Sequence, residues 1–332
     1  MTDNIKRLLS LNLLRVVIGM ALLVVSLWGI NWTQLKESLA QINPVWILFV
    51  VGSVVLSLGL KIARSFVFLK NFDLQISLPR VTRAFLLGQA VNILLPSRGG
   101  DVVRVGYLSA DQPRNVAQVG AAIAFEKFLD LVALTIVALG VSAYLPAERV
   151  SWLRRVLLPL SIMGSLGLMS FLFVAPKVWE SLCEKVPPSA PHWVVKTVEW
   201  GDRFVKNSQW IKDPRYLYPA VMMTTLVWGA MWMTNILLFQ GLHLNLPIVA
   251  GGLVIVLVYV GVLPALMPGN VGPFYFFAQL GVAPFGVPAE NAVAFAILLH
   301  AVVTLVPLVA AAISLMLSVD LRVQLKTLWK TN

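Results

Sequence analysis

The chain has 332 residues, 58% of them hydrophobic and only 12% charged, with a mean hydropathy of +0.83 and a formal charge of +11. That balance excludes a soluble domain and describes an all-α polytopic integral membrane protein. The lone Cys183 excludes a disulfide framework and a Cys-rich zinc site, three scattered histidines give no metal cluster, and the basic excess flanks apolar runs, as topology signals and anionic-lipid contacts do, so no nucleic-acid partner is expected.

In chain order, a short basic segment from Ile5 to Arg15 leads into an apolar run from Val16 to about Ile30, without a cleavage signal after it, and reads as a retained first span. The second span runs from about Val45 to Leu69. It carries Lys61 and Arg64, placed near its end and expected to snorkel to the interface.

The next region, about Val81 to Tyr107, is interrupted by Leu94-Leu95-Pro96-Ser97-Arg98-Gly99-Gly100-Asp101-Val102-Val103-Arg104. Pro96 and the two glycines stop one helix, and a new one starts near Asp101 with its free N–H groups and positive dipole end facing the break. With Arg98 and Arg104 this describes an anion site, most naturally for a phosphate, with Asp101 as the balancing charge. The alternative is a loop with ordinary topology-setting arginines. Gln89 and Asn92, three apart on one helix face, either line the cavity in front of Arg98 or bond to neighbouring helices.

The third span, about Ala117 to Tyr144, holds Glu126, Lys127 and Asp130. The two acids share one helix face inside an apolar stretch. They are expected to pair with Arg98, Arg104, Arg64 or Lys127, as a structural ion pair or as a charge relay. A fourth span between Val156 and Val174 precedes a polar, Trp-bearing interfacial segment over 176–214. The remaining spans are about Leu217 to Phe239, Pro247 to Leu263 and Ala289 to Leu317.

Between the last two lies a second interrupted region, about 264–286. There Leu266-Met267-Pro268-Gly269-Asn270-Val271-Gly272-Pro273 aligns with the first break, keeping Leu, Pro and Gly at the first, third and seventh positions. Paired breaks in two halves point to a transporter binding site, with Asn270 and Gly272 as second-half candidates and His300 as a secondary one. Most of the 26 basic residues fall on one side if both breaks re-enter, with Lys36, Arg149, Arg154 and Arg155 opposite. The expectation is therefore one membrane domain over 1–332, with about seven transmembrane helices and two re-entrant hairpins. Its halves, 1–145 and 146–332, are inverted, and both termini and Cys183 are cytoplasmic.

Asn92 to Arg104, then Glu126-Lys127 with Asp130, then Pro268-Gly269 with Gly272, resemble the three landmark motifs of the flippase-like membrane family typified by the transmembrane domain of lysylphosphatidylglycerol synthase. The resemblance covers nearly the whole chain and implies a protein that moves lipids between leaflets. The family pattern has Glu where Asp101 stands, Arg where Lys127 stands, Gly at Asn270 and an acid near Tyr275. The second break is therefore uncharged here. No nucleophile set, metal cluster or Walker-type phosphate loop is present, so neither catalysis nor a cofactor is expected. Three readings remain: a flippase or scramblase for an anionic phospholipid or polyprenyl-phosphate lipid, a proton-coupled carrier of a small organic anion, and a non-transporting subunit partnering a lipid-modifying enzyme or glycosyltransferase.

Overall fold

The computed structural model describes residues 2–145 apart from 73, 96–98 and 112–114, and residues 213–317 apart from 265 and 266, with isolated positions between the two stretches; for residues 2–12 it describes the backbone alone. Arg98, Cys183, and almost all of the expected span at 156–174 and of the 176–214 segment lie outside the described residues.

All regular structure among the described residues is helical: α1 (Thr2–Leu27), α2 (Trp32–Ala40), α3 (Pro44–Asn71), α4 (Leu78–Leu94), α5 (Gly100–Ser109), α6 (Val116–Tyr144), α7 (Pro214–Gly241), α8 (Ile248–Val262), α9 (Val271–Val282) and α10 (Ala289–Leu317). Three of these, α3, α7 and α10, are long and apolar enough to cross a membrane, and the pair α1 and α2, bent by 83°, makes a fourth if counted as one span. Gly29, at φ 73, supplies the left-handed residue at that bend.

The described residues thus hold three or four candidate spans; of the seven expected, the one at 156–174 lies mostly outside them, and one more is too short. Pro247–Leu263 forms a helix of 15 residues, about 22 Å long, short of a hydrocarbon core of about 30 Å. It packs along α9 as the first arm of the second hairpin, so that hairpin begins near residue 248 rather than 264.

The same order of elements occurs twice: a long helix, a short one, a break, a second short one and a long one. Lengths run 28, 17, 10 and 29 residues in α3 to α6, against 28, 15, 12 and 29 in α7 to α10. The starts match in detail. Pro44 and Pro214 sit at the first helical position behind Asn43 and Asp213, whose side chains accept from Val45 N and Arg215 N. So do the turns. Phe72 N bonds Phe68 O and Leu74 N bonds Leu69 O after α3; Leu242 N bonds Leu238 O and Leu244 N bonds Phe239 O after α7.

Helix α3 is apolar outside and partly polar inside. Leu48, Phe49, Val55 and Leu56 are exposed, as suits a lipid-facing surface, whereas Ser53, Ser57, Arg64 and Ser65 are buried. It packs closely on α7, where Ser53 and Thr234 hydroxyls bond at 2.9 Å. One apolar core joins α3 to α7–α10 around Phe239 and Phe295, and another joins α3 to α4–α6 around Phe68 and Phe125.

Candidate functional site

A cavity of about 550 Å³ is lined by helix-period stripes from both halves. Ser57, Lys61 and Arg64 of α3 form one stripe, Gln89 and Asn92 of α4 a second, and Glu126, Lys127 and Asp130 of α6 a third. Asp101 and Arg104 come from α5, Thr234 and Asn235 from α7, and Asn270 and His300 from the second half's break and last helix.

The acids expected to pair do so. Arg64, only 2% exposed, grips Asp130 with two hydrogen bonds, Nη1 to Oδ1 at 2.7 Å and Nη2 to Oδ2 at 3.0 Å. The Trp228 indole donates to the same carboxylate at 3.2 Å. Snorkelling by Arg64 is thereby overturned: α3 runs on to Asn71, so Lys61 and Arg64 lie roughly 10 to 15 Å short of its end, beyond easy reach of the interface.

Arg104 is likewise committed. Its Nη2 donates to both oxygens of Glu126 at 2.9 and 3.0 Å and to Ser65 Oγ at 2.8 Å, and its Nη1 reaches Asp101 at 3.3 Å. The guanidinium lies over the Phe85 ring, 4.8 Å from its centroid. Arg104 and Glu126 are 3% and 2% exposed. The expectation that Arg104 offers a free guanidinium to a phosphate is therefore corrected: it is a strut tying α5 to α3 and α6. Asp101 also receives Lys127 Nζ at 3.4 Å.

The start of α5 needs a second correction. Asn92 Oδ1 accepts Gly100 N at 2.9 Å, so an amide expected to face an anion is capped from within. Gly100 itself is there for close approach. A Cβ on it would overlap the Gly88 carbonyl oxygen, whereas a Cβ on Gly106 of the same helix meets open space. Gly100→Ala should destabilise the protein by about 1 to 3 kcal/mol, the cost of forcing the hairpin arms apart. Gly106→Ala should not, and paired thermal unfolding curves in detergent check the contrast.

Gly99 bonds through its carbonyl to Val103 N and does not line the cavity. Gly272, expected to bind substrate, instead seats α9 against α1, where a Cβ would overlap the carbonyl oxygen of Gly19. The second break is shaped by Gly269 and Asn270 in the left-handed region, at φ 65 and 53, and is pinned by His300, whose Nε2 donates to Gly269 O at 2.7 Å. Sequence reasoning missed Lys61, Thr234 and Asn235 as cavity-lining residues. Membership of one stripe with Arg64 was the available signal for Lys61.

Among protein families, residues 12–311 match the lysylphosphatidylglycerol synthase TM region. No curated protein matches the chain significantly. With a cavity at the three landmark motifs and a match over most of its length, the chain belongs to the family of the lysylphosphatidylglycerol synthase TM region.

Proposed function

We propose that the protein moves an anionic lipid between membrane leaflets, taking its headgroup into the cavity between the two hairpins. The observation that carries this reading is the cavity's charge: Lys61, Arg64, Arg104 and Lys127 line it against Asp101, Glu126 and Asp130. Among the described residues one positive charge is left over, so an anion is the favoured guest.

The family relationship supports a lipid as cargo, and the exposed apolar faces of α3, α7 and α10 suit a bundle surrounded by lipid. The cavity argues against a merely scaffolding subunit. The guanidinium grip on Glu126 and Asp130 argues against a proton relay, because both carboxylates are already occupied by fixed charge-assisted donors. In this reading the repeated halves have inverted topology, both termini are cytoplasmic, and the protein carries lipid rather than making it.

The test is translocation of a fluorescent anionic phospholipid in vesicles holding the purified full chain, compared with Thr304→Trp, which fills the cavity wall. The wild type should move lipid and the variant should fall to the protein-free rate. Movement no faster than in empty vesicles for the wild type would overturn the reading.

A further inference from the structure

Each of the three cavity acids among the described residues already has a basic partner, so a cationic guest meets no free carboxylate there. Glu126 is taken by Arg104, Asp130 by Arg64 and Trp228, and Asp101 by Arg104 and Lys127. A headgroup ammonium would have to share a carboxylate with a basic side chain already paired to it. Of the four basic side chains that line the cavity among the described residues, three are in those pairs, and Lys61 alone among them has no hydrogen bond or ion pair.

A second unpartnered group lines the same cavity, on α7. Asn235, 3% exposed, donates through Nδ2 to Met231 O at 3.0 Å, which fixes the orientation of its amide, and its Oδ1 is left without a donor. Asn270 Oδ1 is also buried and unpaired. A buried carbonyl oxygen needs a donor. Phosphate oxygens at neutral pH and choline methyl groups supply none, an ammonium brings a charge that the cavity repels, and a hydroxyl fits.

We infer that Lys61 and Asn235 form the headgroup subsite, and that the ligand is a phosphodiester lipid whose headgroup bears hydroxyls, of the glycerol or sugar kind, rather than an aminoacylated cationic one. Lys61 holds the phosphate and Asn235 accepts a hydroxyl. The assignment deepens the lipid-translocating reading and rests on it.

Equilibrium binding to the full chain in nanodiscs tests the subsite apart from movement, with four lipids. Phosphatidylglycerol and phosphatidylmethanol share a charge and differ in hydroxyls, phosphatidylcholine is zwitterionic, and lysylphosphatidylglycerol adds the cationic group. The wild type should bind phosphatidylglycerol best, phosphatidylmethanol next, and the other two weakest. Lys61→Met should weaken phosphatidylglycerol binding about tenfold or more, as loss of a charge-assisted contact does, and Lys61→Arg should restore part of it. Asn235→Leu should abolish the preference for phosphatidylglycerol over phosphatidylmethanol and leave the preference for an anion intact.

Inorganic phosphate at the same concentration should not compete; full displacement by it would show a free-anion site and overturn the lipid assignment. Equal binding of the four lipids by wild type, or tighter binding of the lysyl lipid, overturns the inference without any variant having to fold. Selective binding without movement in vesicles would sink the translocation reading alone, and movement without selectivity would sink only the subsite.

Discussion

Replacing Asp130 by Asn should cost the folded protein on the order of 3 to 5 kcal/mol, the penalty for leaving a buried charge without its counter-ion. Arg64 has no second carboxylate to turn to. Its remaining hydrogen bond is a 3.4 Å contact with the Thr224 hydroxyl, and Glu126 is already gripped by Arg104. The comparison is Asp111→Asn. Asp111 is an exposed acid after α5, held below the ordinary carboxylate range by a hydrogen bond from Arg80 and by that guanidinium's charge. A surface pair of that kind contributes little in water. Thermal unfolding of both variants in one detergent should show a large loss for Asp130→Asn and almost none for Asp111→Asn. Equal losses would mean that Arg64 finds water or another partner, and that the pair does not lock α3 to α6.

Much of this site was legible before any coordinates. Two acids four residues apart in an apolar run had to share a face and had to be paired, and the helix break at Pro96 to Gly100 follows from local chemistry alone. Which arginine meets which acid depends on how helices far apart in sequence cross. The residues alone therefore leave Arg104 both a phosphate ligand and one of several possible partners for the acids, and the fold makes it the partner of Glu126.

Gly272 was misread for the same reason: its neighbour, the Gly19 backbone, belongs to the first helix of the chain. Lys61 was lost to a length error, since ending the helix at Leu69 and counting its last turns generously brings the ammonium to the interface, while the real helix keeps it inside. The short α8 was mistaken for a span because an apolar run carries no mark of how much of it is one straight helix. The charge asymmetry of the halves, by contrast, was plain in the residues. Where α3 carries Arg64-Ser65, the matching place in α7 carries Thr234-Asn235, so the cavity has one ionic wall and one amide wall.

The Arg104–Glu126 pair gives the sharpest separation of strut from ligand site. Glu126→Met alone should destabilise the protein by about 3 kcal/mol or more, because a buried guanidinium loses both bonds to its close carboxylate and keeps only Asp101 at 3.3 Å among the acids. Arg104→Met alone should do the same, stranding a carboxylate that is 2% exposed. The double variant removes both charges and fills the space with side chains of similar length. Its stability should recover to within about 1 kcal/mol of the wild type, since replacing a buried pair by apolar groups is often neutral or better. Asp101 keeps Lys127 throughout. The cavity's net charge is also unchanged by the double replacement, so an anionic lipid should still be held and moved at a rate near that of the wild type. Unfolding midpoints give the first comparison and vesicle translocation the second. Recovery of stability with loss of lipid movement would return Arg104 to the headgroup site, and failure to recover would show that Ser65 and Phe85 also need the guanidinium as a packing partner.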